Sequence, residues 1–188
     1  FNSVAAQMSR GKSEKTVAFA MSSVAATLAK FSMDVCLYMS QNFDFISLPA
    51  HLTTGSSIMP HKKNPDVFEL IRGKCNKIQA LPYEITLITN NLPSGYHREF
   101  QLLKEGLFPA IQNLKACLDI AIFSIKDITV KEGILEDKKY DYLFTVDSLN
   151  EMVVAGMPFR DAYKAVAEQL ENGTFQSPKE TKHTHEGS

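Results

Sequence analysis

The feature that most restricts the possible folds of this 188-residue chain is a spacing. From Val17 onward, Val17, Met21, Val24, Leu28, Phe31, Val35 and Tyr38 recur at alternating steps of four and three. That is a heptad seam, the signature of a long helix packed nearly parallel to its neighbours. Ala25, Ala26 and Ala29 beside it leave room for a close approach. Two further stretches repeat the pattern. Ile71, Ile78, Leu81, Ile85 and Ile88 predict a helix over 66–90, which Pro82 should kink or split. Leu103, Leu107, Ala110, Leu114, Cys117 and Ala121 predict a third over 100–126, with a bend at Pro109. Asn64 before Pro65 reads as the N-cap and first residue of the second helix.

Beyond the third seam the chain runs through a charged connection, KDITVKEGILEDKKYDYL, into two shorter helical patterns over 145–155 and 158–171. Pro158 near the start and Gly173 past the end punctuate the last of these. Strand signals are nearly absent. The expected fold is all-α: a long-helix bundle over 1–137, then a small helical domain over 138–188. Three seams with one buried stripe each leave much apolar surface for one three-helix set, so further helices or partner subunits should cover it.

Composition narrows the function. Net charge is -1, which gives no electrostatic reason to expect nucleic acid. No apolar run approaches the ~20 residues of a membrane span, and the start has no signal-peptide layout, so a soluble, cytoplasmic chain is expected. Cys36, Cys75 and Cys117 each lie in an apolar helical pattern, as core thiols of a reducing compartment would. The chain starts at Phe1 without methionine and stops at KHTHEGS, which suggests a fragment.

Between the first and second seams lies TGSSIMPHKKNPDVFE, residues 54–69, far richer in small and cationic residues than a plain connection needs. Gly55 permits close backbone approach, and Ser56 and Ser57 offer hydroxyls and a possible nest of N–H groups. Lys62 and Lys63 bring two positive charges, Asn64 can donate and accept, and the following helix adds its positive end. The sum suits a small anion, with hydroxyls at hand for proton transfer. Such surroundings would stabilise a serine alkoxide and a carboxylate gaining charge, as β-elimination from a carboxylate substrate requires. A phosphate-binding loop or a solvated loop has the same composition.

The string GSSIMPHKKNPD resembles the signature loop of the fumarase/aspartase superfamily. HKKNPD followed by the glutamate of DVFELIRGK is most similar to its argininosuccinate lyase family, as are FDFISLPAHLTTGSS before the loop and LPSGYHREFQLLKE after it. Essentially the whole chain takes part, as the carboxy-terminal portion of a subunit more than twice this length. The resemblance implies reversible cleavage of argininosuccinate into fumarate and arginine without cofactor or metal. It also implies a homotetramer that pools its long helices and builds composite active sites.

It further implies roles for matching residues. Ser56 corresponds to the catalytic base. Lys62 and Asn64 correspond to residues that hold the succinyl carboxylate and stabilise the charged intermediate, with Ser57 beside them as a substrate contact. Glu69 corresponds to the partner that orients a catalytic histidine. Tyr96, Gln101 and Lys104 correspond to substrate-binding positions, and the spacing of the last two puts them on one face at the start of the third helix. The family's catalytic histidine belongs to an earlier threonine-histidine motif that this sequence lacks. A cationic position near the first helix is filled by Arg10 or Lys12. His61 and His97 stand as substrate contacts or solvated residues, His51 as a loop residue, and His183 and His185 as a weak metal pair. A structural protein, an inactive oligomerisation fragment, or an adenylosuccinate lyase or fumarase type of enzyme on the same scaffold are the competing readings.

Overall fold

The computed structural model describes residues 2–178. These fall into two compact units that divide in sequence after Lys131. The first holds helices α1 (Ser3–Met8), α2 (Lys12–Tyr38), α3 (Asp66–Gln79), α4 (Leu81–Ile88) and α5 (Leu103–Ile125), and two short strands, β1 (Ile46–Ser47) and β2 (Thr129–Val130). The second holds α6 (Thr145–Val154) and α7 (Phe159–Glu171). The chain is all-α, as expected, apart from the antiparallel β1–β2 pair, in which Ile46 faces Val130.

The helices begin and end for local reasons. The Asn2 side chain caps α1 by accepting from the Val4 and Ala5 N–H groups at 3.0 and 3.1 Å. Gly11, at φ 84°, turns the chain into α2, and the Glu14 carboxylate accepts from its N–H at 2.8 Å. A side chain at Gly11 would collide with Thr89 and crowd Phe100. Thus the start of α2 is locked against the end of α4 and the approach to α5. Pro82, lacking an N–H, separates α3 from α4, and Ala80 at the junction keeps helical dihedrals.

Half of the expected α2 seam holds, with Met21, Leu28 and Val35 buried, while its alternate positions move by one residue, from Val17, Val24 and Phe31 to Ala18, Ala25 and Ser32. The buried face is Ala18, Met21, Ala25, Leu28, Ser32 and Val35, still a heptad but built largely of small residues. Val17 and Val24 are each 45% exposed, and Tyr38 is exposed too. The reason is steric: α2 packs chiefly along α3, and Ala and Ser allow that approach where Val and Phe would hold the axes apart. Val17 and Val24 sit on the flank, while Phe31 still packs on the core. The seams of α3 to α5 match expectation, with Ile71, Ile78, Leu81 and Ile85 buried, and Leu103 to Ala121 likewise. In the second unit Leu149, Ala162 and Val166 pack together.

By length and composition, α2 and the stretch from Arg98 to Ile125 are each apolar enough to cross a membrane, contrary to the sequence expectation. Alanine and methionine raise the mean hydropathy of α2 although Lys30 and Asp34 interrupt it.

Phe68 is fully buried and sets its ring edge-on to Phe31 at 5.9 Å, joining α3 to α2. Phe68→Ala should cost about 3–5 kcal/mol of stability, read by denaturant unfolding of the intact protein. Cys75 and Cys117 meet across the core of the first unit, and burial pushes the Cys75 thiol far up, with Cys117 beside it adding to the shift. This stability is fully present below the ordinary thiol pKa of about 8.5 and is lost as pH rises above it, because the unfolded chain then sheds a proton that the folded chain keeps. Cys75→Ala should flatten that part of the alkaline stability profile.

Candidate active site

The signature loop is tied at its base. The Thr54 N–H donates to the Asn64 carbonyl at 3.2 Å, and the Asn64 N–H donates to the Thr54 carbonyl at 2.8 Å. The Thr54 hydroxyl also bonds the Asp66 carboxylate at the start of α3. Inside the loop, the Ser56 hydroxyl oxygen accepts from the N–H groups of Ile58 and Met59 at 3.2 and 3.1 Å. This is a serine-centred turn, which an alanine could not hold. The Asn64 amide donates to the Gly55 carbonyl at 3.4 Å. Asn64 therefore does not cap α3. Pro65 occupies the capping position, with ψ 46°, and the helix begins at Asp66.

The loop overhangs a cavity of roughly 680 Å³ at the C-terminal end of α2. Lys62, Asn64 and Glu69 line it together, with His61 and Lys63 beside them and Cys36 on the α2 wall. Burial pushes the Cys36 thiol up, and the Arg72 guanidinium partly opposes this. Lys131 reaches in from beyond β2 and pairs with Asp44. Ser56 and Ser57 sit higher on the loop and do not line the cavity. Thus the signature residues share one end of the bundle, with the Ser56 hydroxyl turned onto its own backbone.

A second group forms elsewhere. The Gln101 amide donates to the Tyr96 hydroxyl at 2.6 Å, and the Lys104 ammonium donates to the Gln101 amide oxygen at 2.7 Å. Gln101 ends a 3-10 turn, Arg98–Gln101, rather than opening the long helix, yet its step of three to Lys104 still brings the two side chains together. The Arg10 guanidinium lies over the Tyr96 and Phe100 rings at 5.8 and 5.7 Å, and its Nε is 3.2 Å from the Glu14 carboxylate. Of the two cations weighed for this position, Arg10 is therefore the one in the cluster. His97 sets its ring edge-on to Phe100, with its Nε2 2.8 Å from the Pro93 carbonyl.

The two groups do not meet. Arg10 and Tyr96 stand where α2 begins, and the Lys62 cavity stands where it ends. Twenty-seven helical residues at 1.5 Å each hold them about 40 Å apart. A substrate with the dimensions of a dipeptide cannot touch both groups of one chain.

His51, expected as a plain loop residue, lies 3.4 Å from Asp127 and edge-on to Phe123, anchoring the approach to the loop on the end of α5. Among the described residues no cluster of three or more His, Cys, Asp or Glu is placed to hold a metal. His183 and His185 lie outside the described residues. Sequence reading missed Thr54 and Asp66, whose only signal is their position on either side of the loop.

A family model described as Lyase matches residues 3–80. Over all 188 residues the chain is 58% identical to the argininosuccinate lyase of Parabacteroides distasonis, of which it spans 42%. A class II fumarase from Schistosoma mansoni shares the fold with a TM-score of 0.73 at 19% identity, over 92% of this chain and 36% of that one. An EDDS lyase variant with bound fumarate does so with a TM-score of 0.62 at 18% identity, over 83% of this chain and 32% of that one. The chain thus spans less than half the length of the relatives it matches. With the signature loop, the helical fold and an end-to-end match at this identity in agreement, the chain belongs to the argininosuccinate lyase family of the fumarase/aspartase superfamily.

Proposed function

We propose that the protein cleaves argininosuccinate reversibly to fumarate and arginine, and that this chain contributes the base and the carboxylate-holding residues. The observation that carries the reading is the turn around Ser56. Two backbone N–H groups point at its oxygen, and Lys62 and Asn64 follow on the same loop. A serine hydroxyl is a poor base unless its alkoxide is stabilised, and N–H donors with nearby ammonium charge supply that stabilisation without reorganising.

In this reading Ser56 removes a proton from the methylene next to a carboxylate of the succinyl group. The electron pair passes onto that carboxylate, where Lys62 and Asn64 meet the added charge. The pair then returns to form the carbon–carbon double bond of fumarate as the carbon–nitrogen bond breaks. The departing guanidino nitrogen takes a proton from an acid outside this chain's described residues, and Glu69 orients that acid. Tyr96, Gln101, Lys104 and Arg10 bind the substrate of a neighbouring subunit's loop, and Ser57 contacts the substrate beside Ser56. No cofactor takes part in these steps.

The supporting observation for a shared site is the separation along α2. A homotetramer would also cover the apolar flank that α2 and α5 leave bare, including Val17, Val24, Phe108 and Phe123. Its location is read as cytoplasmic, in keeping with three free thiols.

Ser56→Ala in the intact protein should lower kcat for fumarate release by about 10²–10⁴-fold while leaving the helical circular dichroism unchanged. Full turnover by this variant would remove Ser56 as the base, and no fumarate from the unaltered protein would remove the lyase reading.

A further inference from the structure

The loop carries one closure that none of the roles above uses. Two nearly parallel backbone bonds between Thr54 and Asn64 define a hinge line, about which the loop could still tilt. The Thr54 hydroxyl adds a third bond, to the Asp66 carboxylate two residues beyond Asn64, and so reaches the first residue of α3. Two residues further on, α3 is anchored by the fully buried Phe68.

We propose that Thr54 and Asp66 are positioning residues, a clasp that fixes the tilt of the signature loop and so the direction in which Ser56 presents its hydroxyl. This rests on the reading of Ser56 as the base. The lever is short, and the bond from the Asn64 amide to the Gly55 carbonyl ties the loop only to itself. Ser56 is two residues from Thr54, a reach of about 7 Å, so a tilt of about 10° at the base carries its oxygen about 1 Å. A misplacement of that size can cost as much as 10²-fold in rate. Nothing lies within 4 Å of where a side chain at Gly55 would begin, and Ile58 is 86% exposed. The orientation of the loop therefore depends on its base. Asp66 suits the part, because a carboxylate is favoured at a helix start and bonds a hydroxyl more strongly than a neutral acceptor would.

The test compares Thr54→Val, Asp66→Asn, the double variant and Thr54→Ser in the intact protein, with two readouts. In the first, steady-state cleavage of argininosuccinate, Thr54→Val and Asp66→Asn should each lower kcat roughly tenfold with little change in KM. The double variant should be no worse than either single one, and Thr54→Ser, which keeps the hydroxyl, should restore the rate. In the second, native-state trypsin cleavage after Lys62 and Lys63, the Val and Asn variants should be cut several-fold faster and the Ser variant at the original rate. The second readout needs no turnover, so if the unaltered protein made no fumarate, the lyase reading would fall while trypsin alone decided the clasp. Unchanged cleavage in Thr54→Val, a Thr54→Ser variant as impaired as Thr54→Val, or losses that multiply in the double variant would each overturn the proposal.

Discussion

The close packing of α2 on α3, from a buried face that includes Ala25, Ala29 and Ser32, governs the rest of the molecule. Small residues let the two helices approach until Phe68 can seal against Phe31, and the unit becomes a stiff rod. A rod of this kind cannot bend its two ends toward each other. It offers two platforms about 40 Å apart, one carrying the signature loop and the other carrying Tyr96, Gln101 and Lys104. It also turns Val17, Val24 and their neighbours outward, where another long helix could pack.

Chemistry at the loop follows from its mounting. The β1–β2 pair, the Asp44–Lys131 ion pair and the His51–Asp127 contact hold the strand-like approach to the loop against the end of α5. Buried Leu48 and Leu52 fasten the same stretch to the core. From that rigid base rises a loop that satisfies its own backbone through Ser56 and Asn64. Lys62, Asn64 and Glu69 thereby share one cavity, while the turn around Ser56 is held above it.

Much of this was legible in the sequence, for physical reasons that can be named. Helical periodicity is a local property, so α3, α4 and α5 and the break at Pro82 lie where their apolar spacing put them. In α2 the buried face keeps Met21, Leu28 and Val35 but takes Ala18, Ala25 and Ser32 in place of Val17, Val24 and Phe31, because hydrophobic spacing favours large side chains, whereas the tightest helix contact belongs to the small ones. Asn64 has the composition of a helix cap, but its amide is taken by Gly55 across the loop, a contact that local sequence does not encode. Arg10 could not be told from Lys12 until its guanidinium lay over two rings. The loop residues could be named from the motif, but the gap of about 40 Å to Tyr96 appears only when the length of α2 is known to be unbroken.

The central claim is that the two halves of the site belong to different copies of the protein. Subunit mixing tests it most directly: purified Ser56→Ala and Lys104→Ala proteins, each expected to be strongly impaired alone, are dissociated, combined and reassembled, and fumarate release is followed. Mixed assemblies should recover activity, because some sites would pair an intact loop from one chain with an intact Tyr96–Gln101–Lys104 group from another. Mixtures that reassemble fully and remain as impaired as their components would contradict the shared site and require both groups to act within one chain.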